Sequence, residues 1–170
     1  MVTWPQLQSS FMEDPREHWD VCQSRGLHCP LDVFTQLFHE SVGTDAVPTI
    51  TAQVDWAQVR WSDEYLAGYD LRQVYIDRQF AWGVEEAYLA ALDQGITDER
   101  PAVIQGWQRQ QSWIVPPVFV TGAVIGSASR HALLVGNTRL GNLLGLLVRG
   151  EVAPERRHRV WIGAPLELLP

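Results

Sequence analysis

Arg130-His131-Ala132-Leu133-Leu134-Val135-Gly136-Asn137-Thr138-Arg139-Leu140-Gly141-Asn142-Leu143-Leu144-Gly145-Leu146-Leu147-Val148-Arg149-Gly150 is the stretch that decides the fold. Residues 130–135 are a short, largely apolar run that predicts a strand. Gly136-Asn137-Thr138 predicts a tight turn. From about Thr138 to Arg149, Leu140, Leu143, Leu144 and Leu147 recur at i, i+3, i+4 and i+7, the spacing of a helix with one buried stripe. Gly150 ends that helix as a C′ glycine. The first amides of a helix lack partners within it, and the helix dipole adds partial positive charge there. Such a junction suits a phosphate or carboxylate. Arg139, in the first turn, can add a bidentate and permanently charged contact. Asn137 or Thr138 can cap the helix or meet a ligand oxygen. Strand–turn–helix junctions with glycine are common in α/β proteins, so the plain alternative is that Gly136 serves only the turn and Arg139 only the surface.

Outward from this unit, Pro117–Thr121 predicts a short strand, Gly122–Ser129 a connection and Arg159–Ile162 a final strand. At the other end of the chain, short helices are expected. Thr3 caps one whose first turn holds Pro5, a second runs through Trp19 and Val21 towards Gly26, and a third starts at Pro30 and ends before Gly43. Ile50, Ala52 and Val54 alternate with Thr49, Thr51 and Gln53, so Pro48–Val54 predicts a strand. Ser62–Leu92 predicts mainly helix, because Ser62 can cap it and Asp63 and Glu64 favour the first turn. Gly68 and Gly83 predict a break, and Gly95 a stop. Thr97–Trp113 shows no clear period.

Pro116-Pro117-Val118-Phe119-Val120, followed by Ala132 to Gly136 and then Asn137-Thr138-Arg139-Leu140, resembles the ParB/sulfiredoxin superfamily. The family pattern is a Pro-led strand, a short connection, a strand ending in a Gly-x-x-Arg turn, and a helix. Gly136 and Arg139 match its Gly and Arg. The resemblance covers residues 114–150, with a looser match near residue 50. It implies a mixed α/β fold with a small mixed sheet. Residues 1–170 would make one domain, with 1–45 a helical N-terminal part packed on a ParB-like part at 46–165. It also implies that Gly136, Asn137, Thr138 and Arg139 bind phosphate, and that the ligand is a nucleotide, CTP or ATP with Mg²⁺. The departures bear on chemistry. Asn137 stands where sulfiredoxins carry Cys after the Gly, and Val135 stands where many relatives carry an acidic residue before it. No catalytic residue is assigned and turnover is not expected. About twenty residues follow Gly150, too few for the helix-turn-helix domain of ParB proteins.

The chain has 170 residues, enough for one domain that buries roughly 70% of its unfolded surface. Thirteen basic against twenty acidic residues give a net charge of −7. That balance argues against duplex DNA, whose binders neutralise phosphates, and suits a basic protein partner. Met1 to Gln6 show no basic stretch before an apolar core, so no signal peptide is expected. The longest apolar run, Leu143–Val148, contains Gly145 and is too short to span a bilayer, and a cytoplasmic location is expected. Eight tryptophans are spread along the chain, in a number suited to core packing or to an aromatic interface.

Other candidate constellations are weak. Cys22 and Cys29 lie near His18, His28 and His39, but their spacing fits no closed zinc site, and no metal is assigned. Arg156-Arg157-His158-Arg159 would either extend a phosphate site or charge a strand edge. Asp55, Asp63, Glu64 and the pair Glu85-Glu86 show no acid/base spacing, and the pair reads as a solvated helix face. The functions to weigh are three. The first is a stand-alone phosphate- or nucleotide-binding module with an accessory or regulatory role. The second is an acidic immunity or antitoxin protein of a bacterial toxin system, bound to a basic protein. The third is a nucleotide-dependent kinase or nuclease.

Overall fold

The central element is a four-stranded mixed sheet in the order β1-β4-β2-β3. A computed structural model describes residues 1–41, 51, 54–96 and 100–168. The strands are β1 (Val59–Ala67), β2 (Val118–Thr121), β3 (His131–Val135) and β4 (Arg157–Pro165). β4 runs antiparallel to β1 and parallel to β2, and β3 returns antiparallel to β2. The helices are α1 (Trp4–Gln8), α2 (Pro15–Ser24), α3 (Leu31–Val33, continued by a π-helical turn Phe34–His39), α4 (Gly68–Leu71), α5 (Arg78–Gln94), α6 (Pro101–Gln110) and α7 (Asn137–Arg149). The mixed α/β class expected from the sequence is the class observed.

Both faces of the sheet are covered, because side chains alternate along each strand. Val118 and Val120 of β2, with Ala132 and Leu134 of β3, face the helical N-terminal region and pack with Leu7, Leu27, Phe34, Phe38 and Trp56. Phe119, Leu133, Val160 and Ile162 face the other way and pack with Leu71, Trp107, Leu140, Leu143 and Leu147. The first two N-terminal helices form where their caps place them, and α3 follows Pro30 without a side-chain cap. Thr3 and Gln6 make a reciprocal capping box at α1, and the Asp14 carboxylate accepts from the amides of Arg16 and Glu17 at α2.

The helix expected from Ser62 is corrected at its start. Ser62–Ala67 belong to β1, paired residue for residue with β4 from Val59 opposite Pro165 to Ala67 opposite Arg157. Of the carboxylates that suggested a first helical turn, Asp63 has cross-strand work instead and Glu64 bonds within β1. Asp63 accepts a forked pair of hydrogen bonds from Arg159 at 2.8 to 3.0 Å, and Ser62 Oγ donates to Glu64 at 2.7 Å. A helix N-terminal preference worth well under about 1 kcal/mol yields to a nine-residue ladder. Helix does return, as α4 from Gly68 and as α5 capped by Asp77. Gly83 does not break α5, while Gly95 ends it at φ +82°. The uninterpreted stretch before Trp113 contains α6, opened by Pro101. Of the strand expected at Pro48–Val54, all but Thr51 and Val54 lies outside the described residues. No helix among the described residues is long and apolar enough to cross a membrane.

Candidate functional site

β3 delivers the chain to Gly136, whose φ of +114° and ψ of +34° lie in the left-handed region. Two constraints require glycine there. The dihedral pair disfavours any side chain, and a Cβ would sit 2.6 Å from Pro117 Cβ. Gly136 is the N-cap of the 13-residue α7, so no side chain caps its first amides. Asn137 and Thr138, read as possible caps, are instead the first two residues of the helix.

All four positions of the turn line one cleft of about 280 Å³, together with Ser41, Phe80 and Arg100. Thr138 is exposed. Asn137 is half-buried, with its Oδ1 shielded from solvent and without a hydrogen-bond partner, and its amide rests 3.6 Å from where a Gly83 side chain would begin. Arg139 has a second task that the sequence does not reveal. Its Nη1 donates to Gln36 Oε1 at 2.8 Å, to the Val115 carbonyl at 2.9 Å and to the Pro116 carbonyl at 3.3 Å. It thereby ties α7 to the π-helical turn and to the segment entering β2. The Gln36 side chain is buried and also donates to the Asp32 and Pro116 carbonyls.

Arg139 and Arg100 also line a second, adjoining cleft of about 180 Å³, walled by Val103, Trp113, Ile114 and Val115 and carrying one carboxylate, Glu40. Arg100 and Arg139 therefore line both spaces, the first of which also reaches residues 136–138 at the start of α7. That arrangement can hold an anionic group in the first space and a less polar group in the second. Arg100, Ser41 and Gln36 carry no local sequence signal, because they reach the cleft only through tertiary packing.

Substitution of Arg139 tests its tying role. Arg139→Ala is expected to destabilise the protein by about 2 kcal/mol, since it strips a charged donor from a buried amide oxygen and two carbonyls. Arg139→Lys should recover part of the loss in urea unfolding.

The remaining candidates separate. Cys22 and Cys29 are free and buried, and burial raises both thiols above their usual range. His18 Nδ1 meets His39 Nδ1 at 3.3 Å, with Phe11 stacked on His39, whereas His28 is exposed. Among the described residues no group of three or more His, Cys, Asp or Glu side chains could hold a metal ion. The basic run at 156–159 is tied down residue by residue. Arg156 donates to Gln110 and Gln111, Arg157 to the Tyr65 carbonyl and Arg159 to Asp63, while His158 is fully buried beside Ser112. It joins segments of the fold, and Arg159 also lines a space of about 370 Å³ that shares Gln36, Glu40, Ile114 and Val115 with the second cleft.

No protein-family model matches the chain, and no curated protein or solved structure is found similar to it.

Proposed function

We propose that the chain is a phosphate- or nucleotide-binding module with an accessory or regulatory role and no catalysis of its own. The observation that carries this is the convergence of Gly136–Arg139 with Arg100 on one cleft at the uncapped start of α7. Helix amides and two guanidinium groups together favour a multiply charged anion over a single carboxylate. The nucleotide would be CTP or ATP accompanied by Mg²⁺, with its phosphates at the α7 amides and its remainder in the adjoining space beside Trp113 and Val115. A kinase or nuclease role would need a carboxylate at the phosphates. Glu40, in the adjoining cleft, is the residue to examine for it.

Thermal unfolding with CTP, ATP, GTP or inorganic phosphate, each with Mg²⁺, tests the assignment. A ligand at a hundredfold excess over its dissociation constant should stabilise the native state by about 2.7 kcal/mol, a shift of several degrees. Arg139→Ala is a poor control because it also removes the ties described above. Thr138→Asp is a better one. A carboxylate in the first turn favours the helix while competing with and repelling an incoming phosphate. Stabilisation by one nucleotide that disappears in Thr138→Asp and weakens in Arg100→Gln is expected. A melting temperature unmoved by every ligand would remove the assignment.

A further inference from the structure

We propose that the outward face of α5 docks a basic amphipathic helix of a partner protein. This goes beyond the phosphate cleft and rests on other residues. α5 packs on α7 through Val84, Ala87 and Ala91, which approach Gly141 and Gly145. Around a helix of 3.6 residues per turn, the direction opposite to that contact is occupied by Arg78, Trp82, Glu85, Glu86, Leu89 and Asp93. All six are exposed.

Two features make this more than a solvated face. Every tryptophan of the chain is described, and Trp82 alone is exposed, at 72%. The others are buried or half-buried, so this indole is the exception to how the sequence uses the residue. Leu89, two turns on and about 10 Å along the axis, is 55% exposed. A Trp and a Leu seven residues apart form the short apolar seam that a second helix packs against. The seam is bordered by Glu85, Glu86 and Asp93, the flanking positions that select charge in a helix partner.

Charge complementarity decides the occupant. The face carries three carboxylates against the single cation Arg78, on a chain of net charge −7. Both values repel an acidic helix or an anionic membrane and attract a lysine- or arginine-rich one. Arg78 sits at the N-terminal end and the carboxylates beyond Trp82, so the face also has a direction that fixes how a partner helix lies. A second copy packed parallel would set every charge against its like, and one packed antiparallel would still set Glu85 and Glu86 against the same pair.

The test uses the full chain and two labelled peptides of one leucine/lysine composition. One is ordered as an amphipathic helix, and the other is scrambled so that its apolar stripe is lost. Fluorescence anisotropy should show saturable binding of the first that weakens as salt is added. Trp82→Ala should weaken it about tenfold, the effect of removing an interface anchor. Glu85→Gln with Glu86→Gln should flatten the salt dependence. These side chains are exposed, so melting curves of the variants should overlay the wild type and report retained fold. Equal binding of the scrambled peptide, unchanged affinity in Trp82→Ala, or no binding would overturn the proposal. So would a concentration-dependent dimer in sedimentation that Trp82→Ala abolishes, since the occupant would then be a second copy.

Discussion

Acidification from pH 7 to about 4 is expected to remove about 3 kcal/mol of stability through His158 alone, the free energy equivalent of its pKa displacement on folding. His158 lies on β4, fully buried, with Ser112 Oγ 3.0 Å from its Nδ1 and the Trp113 ring centroid 5.2 Å away. Its Nε2 has no hydrogen-bond partner. Burial, reinforced by the positive charge of Arg156, pushes its pKa down to about 4. In the unfolded chain a histidine titrates near 6.5. Between those values unfolding takes up a proton, so acid favours the unfolded state. The stabilisation is complete above about pH 6.5 and is lost progressively as pH falls to about 4.

Two more histidines act in the same direction. His131 is lowered by burial and by Arg130, with Glu64 and Asp70 opposing, and neither of its ring nitrogens has a partner. His18 is lowered by burial first, with the Leu7 carbonyl opposing and His39 adding to the shift. Urea unfolding at a series of pH values, for the wild type and His158→Asn, isolates the largest contribution. Asparagine can keep a polar contact to Ser112 but cannot titrate. The variant should lose less stability between pH 7 and 4.5, and parallel profiles for the two proteins would refute the assignment.

The second large effect is expected at the contact of α5 with α7. In a solvated helix, Gly→Ala stabilises by about 1 kcal/mol. At Gly141 the sign should reverse. A Cβ there would stand 2.7 Å from Ala87 Cβ and 2.9 Å from the Tyr88 amide nitrogen, with the Val84 carbonyl closer still. At Gly145 it would stand 2.6 Å from Ala91 Cβ and 2.9 Å from the Tyr88 carbonyl oxygen. Three of these neighbours, the Val84 carbonyl and the Tyr88 amide nitrogen and carbonyl oxygen, are backbone and cannot turn away, so the helices must part. Gly141→Ala is expected to cost about 1–3 kcal/mol, and Gly141→Leu more.

Gly83 supplies the internal control. Its Cβ would meet Asn137 at 3.6 Å, an ordinary contact, so Gly83→Ala should stabilise the protein. Opposite signs at Gly83 and Gly141 in denaturant titrations are the expected result. A stabilising Gly141→Ala would show that the helices do not approach this closely.

The leucine stripe read for α7 fits this arrangement only in part. Leu140, Leu143 and Leu147 are buried as expected, but Leu144 is half-buried and Leu146 is buried. α7 has neighbours on two sides, the sheet and α5. A single stripe describes a helix with one partner. The Gly-x-x-x-Gly at 141–145 was the available sign of the second, since two glycines one turn apart inside a helix carry a propensity cost that close packing offsets.

What the sequence by itself determined is what its neighbours along the chain decide. Thr3, Asp14 and Asp77 fix helix starts through amides two or three residues away, although Asp77 is legible as a cap only once the end of β1 is known. Gly136 and Gly150 fix the two ends of α7 through their own positive φ. β2 and β3 are apolar except for Thr121 and His131 because both sheet faces are covered, and such runs are readable as strands. What only the tertiary structure decided is what partners distant in sequence decide. β1 is a strand because β4 lies beside it, 98 residues away at the Asp63–Trp161 pair, and that ladder outweighs local signs of a helix start. Arg139 is a tie as well as a cleft wall because Gln36, 103 residues before it, is brought within 2.8 Å. The cleft itself needs Arg100 and Ser41 from separate segments. Local dihedral preferences and caps act over a turn or two of chain, whereas pairing, burial and charge act over distances in space that a sequence does not list.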